Sequence, residues 1–334
     1  MAILYQTKCR ARQRIRQAFA PFNEPAAVQG LLIGNDLDAL LSAALLKELF
    51  GWDVVGIYDY RNLWLERHAA DRLLANLERN VYLAVDLDIY RNGIPSIGHH
   101  ILQLDTAERL PRQANSLNPN LIFGVSCRNF RWKYPLGTIH LLRWLFEIEL
   151  DEPGEMLCWL ADSAYINAQA HRFRANVARW LDEFLDWAPY WNSFIRLDTA
   201  EYEAQLECTI GTPLQRVLGD PQPGQVKSRH RGLSGWQGQW HDPVRAAARI
   251  RGMLQLIRQI CGWQTPQLPD TYCRIKGTRR RISVAELRRQ YHTLDRFLEP
   301  ATIFSYVFPY AGQLNYTELR LVDAVCQEKG RFRD

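Results

Sequence analysis

Short apolar runs alternating with helix-patterned stretches restrict the first part of this chain to one kind of architecture. AVQGLLIG (26–34) is an unbroken apolar run of the kind carried by a strand buried on both faces. DALLSAALLKELF (38–50) places its leucines at helical spacing and stops at Gly51, which predicts an amphipathic helix. DVVGIYDY (53–60) predicts a second strand, NLWLERHAADRLLANLERN (62–80) a second helix, and VYLAVDLDI (81–89) a third strand. A βαβαβ series implies a largely parallel sheet with right-handed crossovers and helices on its faces. Ligands of such sheets gather at the carboxyl ends of the strands. Asp36, Asp38 and Asp86 fall there.

Beyond residue 94 the pattern is irregular, then helical over 136–150, 154–166 and 171–187. The Pro- and Gly-rich text at 219–243 reads as a linker or long exposed loop. A further helix is predicted from Asp242, as N-cap, with Pro243 at its first position; Ile250, Met253, Leu254, Ile257, Ile260 and Cys261 share one face. The expected fold is therefore α/β, a largely parallel sheet with flanking helices, plus a smaller C-terminal α+β domain. The expected division is 1–195, a connector at 196–243, and a basic domain at 244–334.

A chain of 334 residues, 47% of them hydrophobic, can bury two cores. No apolar run is long enough to span a membrane, and the N-terminal MAILYQTKCRARQRIRQAF lacks the apolar centre of a secretory signal. Seven dispersed cysteines without a C-x-x-C pair argue against a disulfide framework or a structural zinc site. These features lead to the expectation of a soluble, cytoplasmic protein with no membrane partner. The net charge of +5 is unevenly spread: residues 18–226 hold 17 basic and 27 acidic side chains, whereas 227–296 hold 15 basic and 4 acidic. An acidic body followed by a basic segment suits a polyanionic partner, although a solvated arginine-rich surface has the same composition.

Four places carry candidate chemistry: Asp36 and Asp38 after strand one, Asp86 after strand three, the His99–His100 pair, and Asp162 within the apolar stretch WLADSAYI. Singly, each has a structural reading. Asp36 suits a helix N-cap, and Asp38 a first-turn carboxylate beside the helix dipole. Asp86 suits a turn, and paired histidines suit packing. Asp162 is the exception, because a carboxylate in apolar surroundings needs a partner or a cation.

Taken in order, these residues resemble the DHH phosphoesterases, a manganese-dependent family that includes the single-strand exonuclease RecJ, oligoribonucleases, cyclic-dinucleotide phosphodiesterases and family II pyrophosphatases. The family's D-x-D-x-x-x-S reads here Asp36-Leu-Asp38-Ala-Leu-Leu-Ser42, its strand-terminal aspartate is Asp86, and its histidine pair is His99 and His100. Asp162 matches its fourth motif, and Asn118-Pro119-Asn120 matches a segment of the RecJ-type members. The resemblance spans about residues 26–187. The chain departs from it at Gly98, where the third motif begins with aspartate, and at Leu32 and Gly34, where members carry a further histidine or aspartate. No glycine-rich, histidine-bearing substrate motif follows residue 200.

The resemblance implies two Mn2+ ions, with Mg2+ as the weaker alternative, clamping a phosphate ester and generating a hydroxide nucleophile. It implies Asp36 as a ligand of one ion, Asp38, His99 and Asp162 as ligands of the other, and Asp86 as the bridge that helps hold the hydroxide. His100 would touch the phosphate, and Ser42 would support the helix start. For the substrate, the residues themselves offer Arg229, Arg231, Trp236 and Trp240 in one stretch and Arg279, Arg280 and Arg281 in another. Arginine forks suit phosphates and tryptophan faces suit stacked bases; packed tryptophans and arginines paired with the acidic domain are the alternative. The N-terminal KCRARQRIR would add a basic strip if extended. The leading expectation is a metal-dependent phosphodiesterase acting exonucleolytically on single-stranded DNA or RNA. Cleavage of cyclic dinucleotides or very short oligonucleotides, or a catalytically silent nucleic-acid-binding subunit, stays open, as does assembly into a homodimer or a larger complex.

Overall fold

The computed structural model describes residues 8–66, 81–90, 94–105, 115–169, 174–185, 187, 197–219, 233–300, 302–319 and 328–331. Eight strands form the main sheet: β1 (Gly30–Ile33), β2 (Val54–Tyr58), β3 (Asn62–Leu65), β4 (Tyr82–Val85), β5 (Ser96–Ile97), β6 (Ser116–Leu117), β7 (Thr271–Lys276) and β11 (Glu328–Arg331). Their order is β11-β7-β3-β2-β1-β4-β5-β6. The run β2-β1-β4-β5-β6 is parallel, and β3, β7 and β11 extend it antiparallel. A second, antiparallel sheet has β10 (Gln313–Glu318) between β8 (Thr278–Ser283) and β9 (Ile303–Tyr310). The fold is α/β as expected, with a mostly parallel sheet flanked by helices and a small antiparallel sheet in the C-terminal region.

Helix α1 (Leu37–Phe50) is more deeply placed than an amphipathic surface helix: every residue from Leu37 to Leu46 is buried. It lies between the sheet and two further helices, α2 (Thr138–Phe146) and, from the C-terminal region, α4 (Ala247–Cys261), with α3 (Glu152–Leu160) alongside. The Leu/Ala content of α1 follows from this, since a helix covered on all sides has no use for a polar face. Helix α4 begins at Ala247, later than the sequence suggests; Asp242 instead caps the preceding turn, accepting the Arg245 N–H at 3.1 Å.

The stretch at 62–80 was expected to be helical, but its first four residues form β3. Asp59 explains the difference. Its carboxylate accepts the backbone N–H groups of Arg61 and Asn62 and the side-chain N–H groups of Asn62 and Trp64, which closes a hairpin after β2. The remainder, 67–80, lies outside the described residues. The helix expected over 154–166 breaks after Leu160, with Asp162 and Ser163 both in the left-handed region. Over 171–187, an α-helix at Arg174–Arg179 widens into a π turn at Trp180–Phe184.

The expected domain division at 195 and 243 is not marked by a break in the sheet, because β7 pairs with β3 before the chain passes through Gly277 into β8. The second sheet docks on the first through the bridges Ile89–Ser305 and Ile101–Phe308 and the Tyr58–Ser305 hydroxyl pair at 2.7 Å. Of the expected linker, 220–232 lies outside the described residues, while 233–237 forms a short 3-10 helix with Leu233 and Trp236 in the core. KCRARQRIR is not extended: Lys8–Ala18 is a helix, and its Arg12 pairs with Glu147 at 2.9 Å. Cys273 is disulfide-bonded, although the cysteine spacing gave no sign of one. Among the described residues no helix is long and apolar enough to cross a membrane.

Candidate metal centre

Strand β1 leads the chain to β2 on one side and, later, to β4 on the other, so the β1/β4 junction is the point where the strand order reverses. Side chains at the carboxyl ends of those two strands project into the crevice that this reversal opens. Asp36 and Asp38 follow β1, and Asp86 follows β4, with Ile33 and Val85 in register beside them. His99 and His100 follow β5, and Asp162 sits at the break after α3. Asp38, Asp86, His99 and Asp162 each offer one ligand atom, and these atoms lie within 4.8 Å of one another. Such a group could hold a metal ion.

Asp36 is both a cap and a cleft residue. Its side chain accepts the Ala39 N–H at 3.2 Å at the start of α1, and it also faces the cleft beside Asp86. Asp38 reaches across to α2, where its two oxygens accept the Thr138 N–H at 2.6 Å and the Ile139 N–H at 2.8 Å. The N-terminal N–H groups of a helix favour negative charge there. That approach depends on Gly137: a Cβ at this position would stand 2.5 Å from Asp38 Oδ2.

Thr138 connects two members of the group. Its hydroxyl donates to Asp86 Oδ1 at 3.0 Å and lies 3.1 Å from His99 Nδ1. A His99 proton on Nδ1, directed at Thr138, leaves the Nε2 lone pair 2.7 Å from Asp162 Oδ2. Asp162 Oδ2 is buried and receives no hydrogen bond of good geometry. Two lone pairs that close require either a proton on the ring, giving an ion pair, or a cation shared between them. The donor set, carboxylates plus one imidazole, suits Mn2+ or Mg2+ better than a thiophilic metal.

Electrostatics points the same way. Carboxylates a few ångströms apart repel by roughly 3–4 kcal/mol per pair at an effective dielectric near 20. Burial, then Asp162, pushes the Asp36 carboxyl up to about 6. Burial, then Asp36 and Asp162, raises Asp86 well above the usual carboxylate range, and burial followed by Asp86 raises Asp38 against its two backbone donors. Burial opposes charge on Asp162 too, but His99, His100 and Lys133 hold its carboxyl below the usual range. At His99 the burial effect is downward, and Asp162 and Asp38 reverse it to give a net rise. The cluster has too much negative charge for the cations around it. The backbone is strained here as well: Tyr60, Asp86, Asp162 and Ser163 all have φ between 50° and 61°. Non-glycine residues so placed cost roughly 1–3 kcal/mol each and persist only where the surrounding structure holds them there.

The histidine pair is held by residues that sequence reasoning missed or only partly read. Asp88, two residues beyond Asp86, accepts the His100 N–H at 3.2 Å, stands 3.1 Å from His100 Nδ1, and accepts Asn118 Nδ2 at 2.9 Å. Its carboxylate fills the space beside Gly98, where a Cβ would lie 2.3 Å from Asp88 Oδ1. Asp88, just beyond the end of β4, thus places a carboxylate beside the histidine pair, and Gly98 leaves the space for it. Asn118 also donates to the His100 carbonyl at 2.8 Å, and Asn120 donates to the His99 carbonyl at 2.7 Å, so the Asn-Pro-Asn segment clamps both histidine backbones. The other two departures are equally physical. Leu32 is buried on the opposite side of the sheet with Tyr58, Ala84 and Phe304. A Cβ at Gly34 would already lie 3.0 Å from Asp86 Oδ2.

A cleft of about 240 Å³ opens over the cluster, lined by Asp36, Asp86, His99, His100 and Asp162. Tyr60, His241, Arg279 and Asn315 line it as well. Arg279 stacks near Tyr60, 5.9 Å from the ring centre. Of the expected substrate contacts among the described residues, His100 and Arg279 line this cleft. Arg281 lies on the same face of β8, paired in register with Asn315, whereas Arg280 pairs with Glu318 at 2.7 Å. Trp236 and Trp240 are only 5% and 6% exposed. They are packing residues that seat the 233–241 segment, with the Trp240 N–H bonded to the Asn35 carbonyl, and offer no open face to a base. Arg229 and Arg231 lie outside the described residues. Comparison with protein-family models, with curated proteins and with solved structures found no match to this chain.

Proposed function

We propose that this chain is a metal-dependent phosphodiesterase of the DHH type, acting on single-stranded nucleic acid from an end. The observation that carries the reading is the Asp38–Asp86–His99–Asp162 group at the strand-order reversal, with Arg279 across the cleft from it. Asp36, which touches Asp86, would supply with it the protein ligands of a second ion, with water filling the remaining positions. Bound there, Mn2+ or Mg2+ would supply Lewis acidity toward a phosphoryl oxygen and make water a competent nucleophile at neutral pH.

The chain's own residues would do the rest. Thr138 fixes the orientation of Asp86 and His99 together, and the start of α2 fixes Asp38. His100, anchored by Asp88, lines the cleft and contacts the phosphate oxygens. Arg279 offers a guanidinium to the same phosphate from the facing sheet. The modest volume of the cleft favours a strand end or a short oligonucleotide over the middle of a long strand. Hydrolysis of bis(p-nitrophenyl) phosphate tests the reading. Turnover is expected to require Mn2+ and to fall at least about 100-fold in Asp86→Ala; undiminished turnover in that variant would contradict it.

A further inference from the structure

A second cleft, of about 150 Å³, lies against the same cluster from another side. It shares His99, His100 and Asp162 with the first, so those three side chains form a common wall. Lys133, Tyr134, Pro135, Leu136 and Asn167 complete the lining. Each cleft is also lined by a long cationic side chain: Arg279 in the first, Lys133 in the second.

Lys133 is held by its backbone rather than by its charge. Its N–H donates to the Phe130 carbonyl at 2.9 Å, and its carbonyl accepts the Asn176 side chain at 2.5 Å. Among the described residues its ammonium forms no ion pair, although it is half-buried and feels Asp162 and Asp88 at longer range. A half-buried lysine with no carboxylate in contact, opening on a cleft beside a metal-binding group, is placed to receive an anion from outside the chain.

We infer that Lys133 binds a second phosphate of the substrate, adjacent to the one held between Arg279 and the acidic cluster. The substrate is then a linear strand with at least two phosphates, crossing the His99–His100–Asp162 wall from one cleft to the other. This inference rests on the phosphodiesterase reading for the identity of the strand, and it names the substrate class within that reading. It separates a linear oligonucleotide from an isolated phosphate ester.

The test is the coupling between Lys133 and a terminal phosphate. Trithymidylate carrying a phosphate at its 5′ end, at its 3′ end, or at neither is titrated into the protein with Ca2+ in place of Mn2+, and binding is followed by competition with a labelled strand. The wild-type protein is expected to bind one of the two phosphorylated strands roughly tenfold more tightly than the bare one. Lys133→Met is expected to abolish that advantage, and Lys133→Arg to keep most of it. The end that couples reveals the direction in which the strand lies. An advantage that survives in Lys133→Met, or no advantage in the wild type, would overturn the inference. Because the readout is binding, the two failures separate: Mn2+-dependent hydrolysis without Lys133 coupling removes only the second phosphate site. Absence of hydrolysis in the wild type removes the reading beneath it.

Discussion

Asp88 and Gly98 carry the clearest residue-scale consequence of this structure. One supplies a carboxylate, and the other supplies the space it occupies. In the sequence they stand ten positions apart, in VDLD and SIGHH, and neither points to the other. Asp86 and Asp88 are two residues apart just beyond the end of β4, and only the fold reveals that one serves the metal group and the other the histidines. Gly98→Ala is expected to destabilise the wild-type protein by about 1–3 kcal/mol, since a Cβ 2.3 Å from Asp88 Oδ1 forces the carboxylate out of position. In an Asp88→Ala background the same change is expected to cost little, because the obstructing group is gone. Denaturant midpoints of the four proteins give the coupling; equal costs in both backgrounds would contradict the packing described.

Elements determine which of these residues could be recognised from sequence. The strand–helix junction β1–α1 was legible because an apolar strand followed by an acidic cap and a leucine-rich helix has one local solution. Asp36 is both the cap that the sequence suggested and a wall of the cleft. The β2–β3 hairpin was not legible: NLWL continues smoothly into a helical pattern, and the deciding signal was Asp59 closing a turn over Tyr60 and Arg61. The start of α2 was equally hidden, because Gly137 and Thr138 acquire their roles only from Asp38 and Asp86, which are remote in the chain. His140 belongs to that same helix start. Its Nδ1 accepts the Gly137 N–H at 3.1 Å, and burial, aided by Arg143, lowers its pKa from 6.5 to about 3. A lowered folded-state value means stability that is full above the unfolded pKa and is lost as pH falls from 6.5 toward 3, at about 1.4 kcal/mol per pH unit. His140→Gln, which keeps an acceptor for Gly137, is expected to lose about 2 kcal/mol less than the wild type between pH 6.5 and 5 in urea unfolding.

At the scale of the whole molecule, two sheets enclose the acidic cluster, and the C-terminal region completes the first sheet as well as covering the cleft. Composition correctly singled out the C-terminal region as arginine-rich, but only topology decides which arginines face the site: Arg279 does, and Arg280 is turned to Glu318. The tryptophans resembled a base-stacking platform because sequence spacing cannot distinguish an exposed ring from one that anchors a loop. Repulsion within the cluster is what a bound cation would relieve. Adding Mn2+ at about 100 times its dissociation constant is expected to stabilise the fold by about 2.7 kcal/mol, raising the thermal midpoint by roughly 4 °C. Asp162→Asn is expected to remove most of that rise and to lower the metal-free midpoint as well, because it breaks the contact with His99 that holds the Asp162 carboxyl below the usual range.

The most direct measurement is the anomalous difference density of crystals grown with Mn2+. A peak enclosed by Asp38, Asp86, His99 and Asp162, with a second beside Asp36 and Asp86, is the expected result. Mn2+ at saturating concentration with no peak among these side chains would contradict a metal-dependent site.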